Sequence, residues 1–200
     1  MASARPIGGG SGAVYPLAMK RLLLALPIAA LALASAQAAQ DDPRLDALFA
    51  TLKSAKADEE AIAAEQQIWQ IWTENKNPEV ERLMRQGIAA MAEDDEQGAL
   101  DKFDAVVKYD KNFAEGWNKR ATVEFSMGNY KASVADIERT LALEPRHFGA
   151  LSGLGQIYLA LDRKKLALKA FQDALAIDPH LQGVREAVEK LEKEVEGTPL

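Results

Sequence analysis

Residues 114–147 read AEGWNKRATVEFSMGNYKASVADIERTLALEPRH, and residues 148–181 read FGALSGLGQIYLALDRKKLALKAFQDALAIDPHL. Set one above the other, these two 34-residue stretches fall into columns. Trp117 stands over Leu151, Ala121 over Gly155, Gly128 over Asp162 and Ser133 over Ala167. Further on, Ile137 stands over Phe171, Thr140 over Ala174, Leu141 over Leu175 and Pro145 over Pro179. Moving the frame back without a gap gives a third copy, Val80–Phe113, whose columns hold Leu83, Gly87, Ala99, Phe103, Val106 and Val107. A fixed period of this length marks an array of stacked units, each touching only its neighbours.

The column pattern resembles the tetratricopeptide repeat. Its best match runs Leu151-x-x-Leu154-Gly155-x-x-Tyr158, then Ala167-x-x-x-Phe171-x-x-Ala174, then Pro179. The resemblance implies an all-α fold, an α-solenoid of helix–turn–helix repeats at 80–113, 114–147 and 148–181. Small residues at Gly87, Ala121 and Gly155, and at Ala99, Ser133 and Ala167, are expected to let the two helices of a repeat approach. Phe103, Ile137 and Phe171 are expected to fill the space between repeats. Lys111 stands where later repeats carry Pro145 and Pro179, which predicts a softer first junction. A capping helix is predicted over 182–196, with Val184, Val188, Leu191 and Val195 inward and charged residues outward.

Upstream, residues 41–78 have helical period without the repeat columns. Leu45, Leu48, Phe49 and Leu52 make one stripe, and Ile62, Ile68, Trp69 and Trp72 a second. We read a helix pair that is a degenerate repeat or a cap, with the tryptophans over the apolar end of the first repeat or stacked on a ligand. Residues 1–18 have no apolar period and read as unstructured, or as an over-extended start before Met19. Residues 19–38 combine Lys20-Arg21, an apolar run and small residues spaced for cleavage after Ala36 or Ala38. That is the pattern of a secretory signal peptide, and the run is too short to span about 30 Å of hydrocarbon. The expectation is a periplasmic protein with no stable membrane span once the leader is removed.

Composition narrows the chemistry. The chain has no cysteine and a net charge of −6, falling to −9 without residues 1–38. Thiolate chemistry is excluded, and an acidic surface disfavours nucleic acid. His147 and His180 both lie at repeat ends without metal-ligand spacing. Gly149-x-x-x-Gly153-x-Gly155 falls inside a helix, where it serves packing and not phosphate binding. No catalytic, cofactor or metal site is expected.

In tetratricopeptide arrays the first helix of each repeat lines a concave groove that holds a peptide or protein. Carried onto this sequence, that groove comprises Glu81, Met84, Ile88 and Met91 in the first repeat. The second contributes Glu115, Asn118, Thr122, Phe125 and Ser126, and the third Ser152, Gln156 and Leu159. Members that grip a terminal carboxylate use groove lysines, arginine and asparagines. Met84, Ile88, Lys119, Gly149 and Gly153 occupy those places here, so a carboxylate clamp is not expected. The resemblance thus implies a non-enzymatic adaptor with a protein or peptide ligand. The alternative is a homo-oligomer paired through its end helices and the two tryptophans.

Overall fold

Asn77 and Pro78 illustrate how these helices start. The Asn77 side chain accepts from the Glu79 amide at 2.9 Å, and Pro78 sits in the first turn, where no amide donor is needed. The computed structural model describes residues 39–196; among these are a short 3-10 turn, Ala39–Asp41, nine α-helices and no strand. The helices are α1 Arg44–Ser54, α2 Asp58–Thr73, α3 Pro78–Ala92, α4 Glu96–Tyr109, α5 Ala114–Ser126, α6 Tyr130–Leu143, α7 Phe148–Ala160, α8 Lys164–Ile177 and α9 Gln182–Glu196. The predicted leader lies outside the described residues.

Helices pair as α3–α4, α5–α6 and α7–α8, and each pair turns in the same way. Asp94, Gly128 and Asp162 share one place in the repeat and adopt φ of 57°, 77° and 54°. Behind them the Asp95, Asn129 and Arg163 amides reach back to the Ala90, Glu124 and Tyr158 carbonyls at 2.9, 2.8 and 2.7 Å. This left-handed closure satisfies carbonyls that the helix end would otherwise strand. Glycine adopts it without strain, and aspartate tolerates it better than most residues.

Inside a repeat the small and large columns meet directly. A Cβ on Gly87 would lie 2.6 Å from the Phe103 ring, and one on Gly155 2.4 Å from Phe171. Phe103 and Phe171 therefore fill the space within a repeat, and not between repeats as the columns suggested. Between the first and second repeats the filler is Val106, 2.6 Å from where a Cβ on Gly116 would stand. Gly155→Ala is expected to destabilise the protein by about 1–2 kcal/mol, overpacking outweighing the better helix propensity of alanine. Phe171→Leu in the same chain should shrink that penalty. Urea midpoints of the two single variants and the double variant measure it, and a neutral Gly155→Ala would refute the close approach.

The array begins at α3. Where Gly116 and Ala150 admit the preceding helix, α3 carries Arg82, exposed and bonded to Glu79 at 2.5 and 2.8 Å and to Gln86 at 2.9 Å. Where Val123 and Ile157 are buried, α3 has exposed Ala89. A charged, hydrated face cannot seat another helix without a desolvation cost. Accordingly α4 packs on α5 and α6 on α7, but α2 scarcely meets α3. The α1–α2 pair is thus neither a degenerate repeat nor a cap on repeat one. At the other end α9 packs on α8 through Val184, Val188 and Leu191, leaving Arg185, Glu189 and Lys190 exposed.

The first junction is not left loose by its missing proline. The Lys111 carbonyl accepts from Trp117 Nε1 at 3.0 Å and Arg139 Nη2 at 3.2 Å. Gln40 Nε2 donates to the Asn112 carbonyl at 2.7 Å, and Asn75 Nδ2 to Asp110 Oδ2 at 2.9 Å. Side-chain donors replace the stiffness that a pyrrolidine ring would have supplied.

Candidate functional site

First helices come closer to one another than second helices do: α5 touches α7. That places the first helices on the inside of the curve, so their shared face is the concave one. It divides into two halves, at the heads and the tails of the helices.

The half at the heads is already filled by the chain itself. Helix α2 runs across the repeat junctions as a strut. Asn75 at its end meets Asp110 before α5, and its middle meets His147 and Phe148 at the head of α7. Asp58 at its start faces His180 before α9 at 3.9 Å. Its sixteen residues at 1.5 Å each give a span of about 24 Å, enough for three junctions. Helix α1 braces it: Asp46 pairs with Arg146 at 2.7 Å, and the Arg146 guanidinium lies 4.3 Å from the Phe49 ring. Ile177 and Leu181 close the apolar cluster that α1 and α2 form with Phe148.

Trp72 is the centre of this contact. It is 1% exposed and stacks on the His147 ring with centroids 4.1 Å apart and planes at 10°. Trp69 packs edge-on against Trp72, His147 and Phe148. Its ring approaches so closely that a Cβ on Gly149 would stand 2.5 Å from it. The tryptophans therefore cover the junction of repeats two and three, not the end of repeat one. Within a single chain Trp72 is buried and Trp69 half-buried, so they are not the exposed pair on which pairing through tryptophans rested.

Beneath them lies a fully buried polar group. Glu115 is 1% exposed, and its Oε2 meets His147 Nε2 at 2.9 Å and Asn118 Nδ2 at 2.9 Å. Lys119 Nζ lies 3.2 Å from Oε1, off the line of a good hydrogen bond, so the contact is an ion pair. His147 Nδ1 accepts the Ala150 amide at 3.1 Å and so caps α7. In the neutral ring the proton is therefore on Nε2, and it is donated to the carboxylate. Burial pushes the Glu115 carboxyl up; His147, Lys119 and Asn118 outweigh burial and hold it below the usual carboxylate range.

A group depressed in this way stabilises the fold above its unfolded pKa, about 4.3, and the contribution is lost as pH falls through the folded value. Glu115→Gln should cost stability near neutrality, and the gap from the parent should close below about pH 4. Urea unfolding of both proteins across that range is the check. A gap that stays constant with pH would show that the carboxylate charge contributes nothing.

The predicted groove residues accordingly separate. Glu115 and Asn118 are covered by α2, and Met84 is buried in the core beside Val80 and Phe103, so these three are not contact residues. Ser152 is half-buried and donates to the Phe148 carbonyl at 2.8 Å, while Glu81 is half-buried at the edge. At the helix tails the face stays open. Ile88 is 42% exposed; Thr122, Ser126 and Gln156 are exposed; Met91, Phe125 and Leu159 are half-buried. Phe125 leans on Tyr130 at 5.7 Å, and the Thr122 and Ser126 hydroxyls bond back into their own helix. Among the described residues no three His, Asp or Glu side chains converge to hold a metal ion, and no helix is long and apolar enough to cross a membrane.

A family model described as tetratricopeptide repeat matches residues 118–181. The chain is 37% identical over 154 residues to a TPR repeat-containing protein of Rhizobium etli, covering 77% of this chain and 76% of that one. It is 30% identical over 118 residues to the small glutamine-rich tetratricopeptide repeat-containing protein 2 of Saccharomyces cerevisiae, covering 58% of this chain and 34% of that one. Among solved structures, MamA superposes with a TM-score of 0.56 at 19% identity, covering 78% of this chain and 84% of that one. The first TPR of Spaghetti (RPAP3), bound to HSP90 peptide SRMEEVD, gives 0.57 at 18%, covering 60% and 94%. Proteins of this fold generally bind peptides or other proteins. Three helix pairs with one turn geometry, and a relative matched across three quarters of its length, place the chain in the tetratricopeptide repeat family.

Proposed function

We propose that this protein is a non-enzymatic interaction scaffold of the bacterial cell envelope. Its partner segment lies on the open half of the concave face. The observation that carries the reading is that Met91, Phe125 and Leu159 hold one accessible apolar position in each of three repeats, with Ile88 beside the first, next to a half closed by α2. Apolar rows that stay accessible on a soluble surface mark places where other molecules bind. Methionine and a half-buried aromatic suit a segment held by side-chain packing. Solved neighbours in complex with HSP90 and HSP70 peptides support peptide binding on this fold. Lys119 is engaged by Glu115 and lies over Trp69 at 5.8 Å, which supports a grip other than a carboxylate clamp.

Export through a leader at residues 19–38 is part of the proposal; recovery of the full-length gene product in the cytoplasmic fraction with its leader intact would refute it. For the groove, crosslinking in cells compares the parent with a variant carrying Ile88→Ser, Thr122→Ala and Phe125→Ala. A partner captured by the parent and lost by the folded variant is the expected result. Equal capture by both would move the site off this face.

A further inference from the structure

The open floor is uncharged, and its ends are not. Ile88, Met91, Thr122, Phe125, Gln156 and Leu159 include no ionisable side chain. Immediately after Met91 and Ala92 come Glu93, Asp94 and Asp95 of the α3–α4 turn and Glu96 at the start of α4, all exposed. Among the described residues none of the four has a cation within ion-pair distance. The matching residues of repeat two, Met127-Gly128-Asn129-Tyr130, are neutral. That of repeat three, Leu161-Asp162-Arg163-Lys164, carries one acid and two bases, with Lys164 held by Glu194 at 2.9 Å. One edge of the apolar floor is therefore strongly acidic at the first repeat and loses that charge by the third.

We propose that the open face takes an amphipathic segment of a partner protein with a lysine- or arginine-rich end. Its apolar side chains lie on Ile88, Met91, Phe125 and Leu159, and its basic end lies against the α3–α4 turn. This rests on the reading above that the open half is the binding surface, and adds the partner's charge and direction. Four neighbouring acids repel one another, and a basic segment relieves that repulsion where an acidic one adds to it. The turn of repeat three offers a basic end no such acidic cluster, so charge sets polarity while the floor supplies apolar contact. Asp94 and Asp95 also shape the turn, through the left-handed φ of the first and the bond from the Gly98 amide to Asp95 Oδ1 at 2.9 Å. Glu93 makes no such bond, and Glu96, in the first turn of α4, favours that helix end through its charge.

The test uses the full-length chain and two synthetic amphipathic helices with one apolar face, one ending in a run of lysines and its twin in glutamates. Fluorescence anisotropy at low ionic strength should find the lysine helix bound about tenfold more tightly, the effect of a few rim charge pairs. A variant with Glu93→Gln, Asp94→Asn and Glu96→Gln should erase the difference, while Ile88→Ser, on an already exposed side chain, should weaken both peptides. Equal binding of the twins, both weakened by Ile88→Ser, would overturn the charge inference and leave the binding face standing. Tighter binding of the glutamate helix would do the same. Binding of the lysine helix that ignores all these substitutions, or no binding of either peptide, would overturn the inference together with the reading beneath it.

Discussion

Trp72→Ala is expected to lower stability by about 3–5 kcal/mol, the cost of truncating a fully buried aromatic. The loss should be local before it is global. Trp72 joins Phe49, Trp69, His147 and Phe148, so its removal unseats α1 and α2. Repeats that contact only their neighbours can remain folded when such a strut is released. Hydrogen exchange should therefore find α2 amides unprotected while those of α6 and α8 hold. Trp72 Nε1 is buried with no hydrogen-bond partner among the described residues. Trp72→Phe removes that orphaned donor along with some contact, so it should cost well under half as much. Protected α2 amides in Trp72→Ala would refute the strut.

The second large effect is expected at Arg120 on α5. Its Nε and Nη2 hold both carboxylate oxygens of Asp136 on α6 at 2.7 Å, and its Nη1 reaches Asp104 on α4 at 2.8 Å. Trp117 stacks on the same guanidinium at 4.8 Å. One cation thus ties three helices from two repeats, and Asp136 and Asp104 raise its pKa further. Asp136 is 5% exposed, so Arg120→Ala strands a buried charge and should cost about 2–4 kcal/mol, less than a fully dry pair because the guanidinium itself is partly wetted. Adding Asp136→Leu should recover most of it, since apolar residues replace buried ion pairs with little loss. Thermal melts of the singles and the double form the cycle, and additive losses would refute the coupling.

Much of the array was legible in sequence because its contacts are local and repeated. Gly87 and Gly155 stand in one column and Phe103 and Phe171 in another, and a fixed period lets each pair find its partner. The pairing of those columns within a repeat was misread, since a column states which residues recur and not which neighbour they touch. The start of the array was also written there, in Arg82 against Gly116 and Ala150, but it is recognised only once that column is known to receive the preceding helix. Met84 shares the problem: its column puts it in the expected groove frame, but its burial depends on what packs beside it.

The seat of α2 could not be read in the same way. Its contacts join Trp72 to His147, Asp46 to Arg146 and Asn75 to Asp110, pairs separated by 75, 100 and 35 residues with no period between them. Amphipathic spacing determined that α1 and α2 are helices, and the repeat determined the solenoid, because both depend on neighbours in sequence or on a fixed frame. Only tertiary packing decided that α2 lies across the helix heads, covers Glu115 and Asn118, and leaves the helix tails as the accessible face. An apolar stripe demands burial, but which surface buries it is settled by shape and charge across the whole fold.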